Sequence, residues 1–368
     1  LDAFRGLTVA AMILVNNPGD WSHVYAPLLH AKWHGCTPTD LIFPFFLFIV
    51  GISIHFAYRN KKNSNDHRKL ISKIGKRSLI IFLLGILLAW YTLPIGNIFT
   101  AERFSGLRIP GVLQRISVVF FVAAILYIKT NWVGHIRWAA SLLLGYYALM
   151  TWVPVPGVGA PNLEPETNLG AWVDRLLLDG HLWAQSKTWD PEGVLSTVPA
   201  IASAIIGMLI GQLFSSIESR ADRATWLFFT GGVMILAGLA WSLFFPLNKA
   251  LWTSSFVLYT AGIGTQLWAA FFWLCDVQGI KNWSTPLQYF GTNAIFAFVA
   301  SGLLVKTLSR LHVGEGDNRI SWWAYIYEQA YASWLSPYHA SLLFAISLVA
   351  LFLLILRGMH KRGIIVKV

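Results

Sequence analysis

The feature that most constrains this chain is its series of apolar runs, most of them longer than the core of an ordinary soluble domain needs. Ten can be read as helices: Leu7–Val15, Leu41–Tyr58, Ser78–Leu93, Gly111–Ile128, Ile136–Val153, Val198–Phe214, Trp226–Phe245, Trp252–Cys275, Pro286–Lys306 and Ala340–Leu356. The first is short and is expected to begin before Gly6. A helix needs about 20 apolar residues to cross a bilayer, so a chain of 368 residues has room for roughly ten spans. Only 12% of the residues are charged, against about 25% in soluble domains. That composition excludes a disordered chain and an ordinary cytosolic enzyme. The expected fold is an all-α polytopic membrane protein, a bundle of about ten transmembrane helices with long extracytoplasmic loops. A single domain is expected over residues 1–368.

The formal charge of +11 has a topological explanation. The segment Arg59–Arg77 holds eight basic residues against Asp66 alone. Lys and Arg collect in cytoplasmic loops, so this segment is expected inside, and ten spans then place both termini inside as well. On that topology the inner segments hold 18 of the 28 Lys and Arg residues but only five acids. The excess is therefore a positive-inside signature, and no nucleic-acid partner is expected. Cys36 and Cys275 are too few for a disulfide framework. Leu1 is not a methionine, so the natural chain is expected to start earlier.

Three outer segments are longer than turns: Asn16–Asp40, Pro154–Thr197 and Thr307–His339. Long loops in a compact protein most often carry function. Polar groups gather at the same face. Asn16 and Asn17 end the first helix, His30, His34 and Asp40 precede the second, Arg115 sits one turn inside the fourth, and Asp190 and Glu192 precede the sixth. Ionisable groups at membrane depth are costly and usually face the protein interior. Each also has a plain structural reading. Asp40 serves as a helix N-cap, Arg115 with Glu192 as a buried ion pair, the 18 Trp residues as interfacial belts, and His55 as an interfacial residue. His30 and His34 stand four apart, but Gly35 and Pro38 argue against the helix that a metal site at this spacing needs. No metal is expected. GxSxG, GxxxxGK[ST], HExxH and CxxC motifs are absent from the sequence.

Five stretches resemble the heparan-α-glucosaminide N-acetyltransferase family. They are LDAFRGLTVAAMILVNN (Leu1–Asn17), LLHAKWHGCTPTDLIFPFFLFIVG (Leu28–Gly51), RIPGVLQRI (Arg108–Ile116), WDPEG (Trp189–Gly193) and, more weakly, GTNA (Gly291–Ala294). They follow the family's order over most of the chain. The resemblance implies a membrane acetyltransferase that takes acetyl from cytosolic acetyl-CoA and places it on the amine of a terminal glucosamine on the far side. It puts the catalytic histidine on His30 and the active-site asparagine on Asn16. It puts the arginine of LQR on Arg115, beside Gln114, and the DPEG acids on Asp190 and Glu192. Asn293 falls in GTNA. Animal members carry an added lumenal domain and first helix without counterpart in this sequence, and an asparagine where His34 stands. A bacterial inner-membrane relative acting on a free or short amino sugar is the expectation.

The resemblance also sets a chemical scheme. An amine attacks a thioester only when neutral, so transfer needs a base within hydrogen-bond reach. A histidine suits that role, because an unperturbed imidazole has a pKa of about 6.5 and is easily tuned, and His30 is the candidate. Asn16 is expected to orient the imidazole or to donate to the thioester oxygen, and Asp40 to fix the tautomer. Direct transfer and an acetyl-His30 intermediate are both open. Acetyl-CoA entering from inside needs cations for its phosphates, and Arg59, Lys62 and Arg77 are the candidates. The expected partners are acetyl-CoA, an amino sugar and the bilayer, with a homodimer left open. The competing readings are a transporter for amino sugars or related solutes, and a non-catalytic sensor or assembly protein. The lack of a visible internal repeat argues against the transporter.

Overall fold

The computed structural model describes residues 1–62, 66–91, 106–315 and 319–366. Helices dominate it, and each of the ten apolar runs lies on one or two of them. In chain order these are α1 (Asp2–Asn16), α2 (Ile42–Tyr58), α3 (His67–Tyr91), α4 (Val112–Lys129), α5 (Trp132–Trp152), α6 (Leu169–Leu178) and α7 (Thr197–Ser216). They continue as α8 (Arg220–Ser242), α9 (Ser254–Phe272), α10 (Thr285–Thr292), α11 (Ala294–Arg310), α12 (Trp322–Tyr327) and α13 (Pro337–Lys361). A two-residue hairpin, β1 (His312–Val313) with β2 (Ile320–Ser321), is the only sheet among the described residues. The protein is thus an all-α polytopic membrane protein.

Length and composition do not confirm all ten as spans among the described residues. Among the described residues six helices are long and apolar enough to cross a membrane, or seven if a bent pair counts as one. The bent pair is α10 with α11, which turn by 71° at Asn293, where Pro286–Lys306 reads in sequence as one run. The others that fall short have visible reasons. Helix α1 has 15 residues, about 22 Å at 1.5 Å per residue. The first half of α3 carries Arg68, Lys69, Lys73, Lys76 and Arg77, and α5 interrupts its apolar residues with His135, Arg137 and two tyrosines.

Helix α3 also starts eleven residues before the expected Ser78, inside the basic segment. Its buried residues Leu70, Ile74, Ser78, Ile81, Gly85 and Leu88 recur at three- and four-residue spacing, one stripe of a 3.6-residue helix. That stripe meets α4, where Ser78 and Ser117 exchange hydroxyl-to-carbonyl hydrogen bonds of 2.9 and 2.8 Å. The last two residues of the expected run Ser78–Leu93 lie outside the described residues.

The chain divides into two compact units. One comprises Leu1–Ala31, Thr37–Phe43 and Leu274–Val368. In it α1 crosses α10 at very close range. A Cβ on Gly6 would stand 1.7 Å from the Leu287 carbonyl oxygen, and one on Gly291 would stand 1.9 Å from that of Asp2. Only glycine lets two backbones approach so closely, a common device between membrane helices. The second unit comprises Lys32–Cys36 and Pro44–Trp273. Here α8 packs on α9, α3 on α4, and α7 on α4, α5 and α9. An apolar cluster of Tyr146, Met150, Val155, Leu169, Phe245 and Leu251 lies under the long loop that contains α6.

Candidate functional site

In the first unit, the loop after α1 folds back on the start of α2. Pro38–Leu41 forms a one-turn 3₁₀ helix leading into α2, and Thr37 with Asp40 forms a reciprocal capping box at its start. Asp40 does more than cap. Its side chain is buried and accepts hydrogen bonds from the backbone N–H of Thr37 and Ala31, each at 3.0 Å, and from the Thr37 hydroxyl at 3.0 Å. Asp40 also meets His30, whose Nδ1 lies 2.7 Å from Asp40 Oδ1. The His30 side chain is about half exposed (49%), while that of Asp40 is 1% exposed. A carboxylate so placed accepts a proton-bearing Nδ1 and selects the tautomer whose lone pair is on Nε2. The wall behind His30 is pinned as well, since the single Thr37 hydroxyl proton is shared between Asp40 and the Leu29 carbonyl, 2.7 Å away, and Thr39 Oγ1 donates to the Pro27 carbonyl at 3.2 Å. His30 and His34 both lie outside any helix.

Asn16 is the last residue of α1 and is exposed. No hydrogen bond joins it to His30 among the described residues. Its neighbour Asn17 is buried and donates to the Ile13 carbonyl at 2.7 Å, tying off the helix end. Asn293 serves the carboxy-terminal tail. Its Nδ2 donates to the Ile364 carbonyl at 3.1 Å and its Oδ1 accepts from Val366 N–H at 2.8 Å, so it is a clamp at the α10–α11 bend.

The second unit holds the other polar cluster. Arg108 donates from Nε and Nη2 to the two oxygens of Asp190, at 2.8 and 2.6 Å, and from Nη2 to Glu192 at 2.6 Å. Burial works to lower the pKa of this guanidinium, but the hydrogen bond to Asp190 and the charge of Glu192 outweigh it and hold the value above the ordinary one. The ion pair expected between Arg115 and Glu192 is therefore made by Arg108 instead. Arg115 is buried (2% exposed) and donates from Nη2 to Ser196 Oγ at 2.5 Å and to the Gly193 carbonyl at 3.2 Å. Its guanidinium lies 5.1 Å from the centre of the Trp252 ring, a cation–π contact.

The geometry of DPEG follows from a residue outside it. Asp174 on α6 is buried and accepts from the backbone N–H of Asp190 at 3.1 Å and of Val194 at 2.9 Å. A Cβ on Gly193 would stand 2.2 Å from its carboxylate, so this turn requires glycine. Burial pushes the Asp174 carboxyl up to about 6, against those two hydrogen bonds. Trp189 meets Trp33 edge to face at 5.1 Å and Trp183 at 5.8 Å. His34 is exposed and approaches Asn248 Nδ2 at 3.4 Å from its Nδ1, on a buried asparagine whose Oδ1 caps Leu251 N–H. Gln114 is buried between Gly85 and Gly111, a packing position.

At the basic end of the same unit, Arg59 Nη1 donates to Ser215 Oγ at 3.4 Å, and His55 bridges that hydroxyl (2.8 Å) to Tyr127 (2.9 Å). His55 is thus a buried link in a polar chain, not an interfacial residue. Lys62 lies 5.1 Å from the centre of the Tyr127 ring and donates to the Thr130 carbonyl. Arg77 stacks on Phe120 at 5.1 Å.

Comparison with known proteins decides the family. The model of the family described as heparan-alpha-glucosaminide N-acetyltransferase, catalytic, matches residues 1–247. The chain belongs to the heparan-alpha-glucosaminide N-acetyltransferase family. It is 29% identical over 358 residues to the mouse protein called heparan-alpha-glucosaminide N-acetyltransferase, covering 83% of this chain and 53% of the relative. The human protein of that name is 29% identical over 354 residues, covering 81% and 52%. The chain therefore spans about half the length of these curated relatives. Within the family segment fall His30, Asp40, Arg108, Arg115, Asp174, Asp190 and Glu192, whereas Asn248, Trp252 and Asn293 lie beyond it.

Arg108 and Asp174 are the residues that sequence reasoning missed. Arg108 carried a usable signal: a lone cation between apolar residues, just before the Pro110–Gly111 break that starts α4. Asp174 carried less, because one acid in a short loop helix looks like surface.

Proposed function

We propose that this protein is an acetyl-CoA-dependent transmembrane N-acetyltransferase. It moves acetyl from cytosolic acetyl-CoA to the amine of glucosamine or a related amino sugar on the extracytoplasmic side. The reading includes a bacterial inner membrane, both termini cytoplasmic, and a single chain crossing it several times. Its support is the family membership together with the positive-inside pattern of the loops.

The observation that carries the assignment of a base is the His30–Asp40 pair at 2.7 Å. With Nδ1–H held by a carboxylate that three other donors already fix, Nε2 is the basic nitrogen and its ring orientation is set. The neutral amine attacks the thioester carbonyl, forming the C–N bond, and the C–S bond to CoA breaks. His30 Nε2 takes the proton from the attacking nitrogen and passes it to the departing thiolate. Asp40 offsets the charge of the imidazolium that forms between these steps. Asn16 is assigned to the developing thioester oxyanion. Arg59 and Lys62, which converge on the His55–Tyr127 cluster, are assigned to the donor's phosphates, and Arg77 is assigned with them. Arg115, Gln114, Asp190, Glu192 and His34 are assigned to the acceptor side, whereas Asn293, which holds the carboxy-terminal tail, is assigned no part in it.

Purified protein given labelled acetyl-CoA and glucosamine is expected to form N-acetylglucosamine. His30→Ala should abolish turnover without lowering the melting temperature, because His30 is half exposed. Asp40→Asn should lower kcat by about 10² to 10⁴-fold by favouring the wrong tautomer. Full activity in His30→Ala would overturn the assignment.

A further inference from the structure

One side chain, that of Thr37, reaches both the carboxylate of Asp40 and the main chain that carries His30. Thr37 Oγ1 lies 3.0 Å from Asp40 Oδ2 and 2.7 Å from the carbonyl oxygen of Leu29, the residue before His30. Its single proton is shared between these two acceptors. The sequence presets the position. Pro38 keeps the residue before it out of the helical region, and Thr37 is extended, with φ −98° and ψ 168°. A β-branched side chain is stiff at χ1, so the hydroxyl keeps one direction once the backbone is set.

The two oxygens of Asp40 are divided by these contacts. Oδ2 accepts from the N–H of Ala31, the N–H of Thr37 and the Thr37 hydroxyl, each at 3.0 Å, while Oδ1 lies 2.7 Å from His30 Nδ1. Donors on one oxygen fix the rotation of the carboxylate and so aim the other. The main chain on each side of His30 is held as well. Ala31 N–H donates to Asp40, and Leu29 N–H donates to the Ala26 carbonyl at 3.2 Å while the Leu29 carbonyl meets Thr37. A peptide group is planar, so fixing the Leu29 carbonyl oxygen fixes the plane that ends at the His30 Cα. We infer that Thr37 is a positioning residue for the base. Its hydroxyl locks the Leu29–His30 peptide and the Asp40 carboxylate together, so that Nδ1 stays on Oδ1 and the lone pair of Nε2 keeps one direction. The inference rests on the acetyltransferase reading above. Capping of the 3₁₀ turn accounts for the contact of Thr37 with Asp40, but not for its contact with Leu29, which lies eight residues back and outside that turn.

The test uses the full chain. Thr37→Val keeps the shape and removes the hydroxyl, and it should lower kcat by about tenfold to a hundredfold. The KM for acetyl-CoA and for glucosamine should change less than about twofold. Thr37→Ser restores the hydroxyl and should recover kcat to within about threefold of wild type. In an Asp40→Asn background, adding Thr37→Val should lower kcat by less than about threefold, because a residue that acts through the pair has nothing left to position. The second readout needs no turnover. Nitrogen NMR of isotope-labelled histidine, at about pH 9 where a model imidazole is neutral, should show His30 in the Nδ1–H tautomer, its signal identified by its loss in His30→Ala. Thr37→Val should show mixed tautomers there. Thr37→Ala repeats both readings if Thr37→Val does not fold. Either wild-type kcat or an unchanged tautomer in the hydroxyl-free variant overturns the inference, as do effects of Thr37→Val and Asp40→Asn that multiply in full. A tautomer released by Thr37→Val in a protein without any turnover upholds the inference and overturns the acetyltransferase reading.

Discussion

At the residue scale, the proposed chemistry rests on how completely Asp40 is satisfied. A buried carboxylate without partners costs several kcal/mol. Here four donors converge on it, and three of them come from Thr37 and Ala31. The scaffold thus holds Asp40 whether or not His30 is present, and for this reason the His30→Ala variant is expected to stay folded. Arg115 is the opposite case. Its Nε and Nη1 are buried with no hydrogen-bond partner among the described residues, and the nearby acids are held by Arg108 and by the DPEG turn. Asp174 gives a pH prediction. Its folded pKa of about 6 lies above its ordinary 3.8. The folded state therefore favours the protonated form, and this contribution to stability is present below pH about 4 and lost as pH rises through about 6, on the order of 2–3 kcal/mol. Thermal unfolding of the wild type should show that decline, and Asp174→Asn should lack the slope between those pH values whatever its absolute melting temperature. An unchanged slope would contradict the assignment.

At the scale of elements, the sharpest constraint is the α1–α10 crossing. Gly291→Ala puts a Cβ 1.9 Å from the Asp2 carbonyl oxygen, so the helices must separate. We expect a loss of about 1–3 kcal/mol, read as a lower melting temperature. Gly358→Ala on α13 has open space around it and should be neutral or mildly stabilising. Equal effects of the two substitutions would rule out close packing as the reason for Gly291. The helices themselves were legible in sequence because lipid and core both demand apolar runs, and that signal survives at every one of the ten positions. The break at Asn293 was harder to read, because the apolar run resumes directly after Gly291–Asn293 and the residues that Asn293 holds, Ile364 and Val366, lie some 70 residues away in sequence. The early start of α3 was hidden as well, since a basic helix face and a basic loop have the same composition.

For the whole molecule, charge distribution does the sorting. Lys and Arg collect in segments such as Arg59–Arg77, while Asp20, His23, His30 and Asp40 share the loop between α1 and α2. Of the candidate site, the His30–Asp40 pair was legible, because a helix-capping acid and a loop histidine ten residues apart are separate signals that one turn can join. The Arg108–Asp190–Glu192 cluster was only half legible. Its acids stood out before α7, but their partner lies more than 80 residues away in sequence, and nothing local names it. Under the proposed function the two substrates meet from opposite sides of one membrane. Protein reconstituted into sealed vesicles, and sorted by orientation, tests this directly. With labelled acetyl-CoA confined to the side bearing Arg59–Arg77 and glucosamine confined to the other, labelled N-acetylglucosamine should accumulate only on the glucosamine side. Its appearance on the acetyl-CoA side, or turnover only when both substrates share a compartment, would contradict the account.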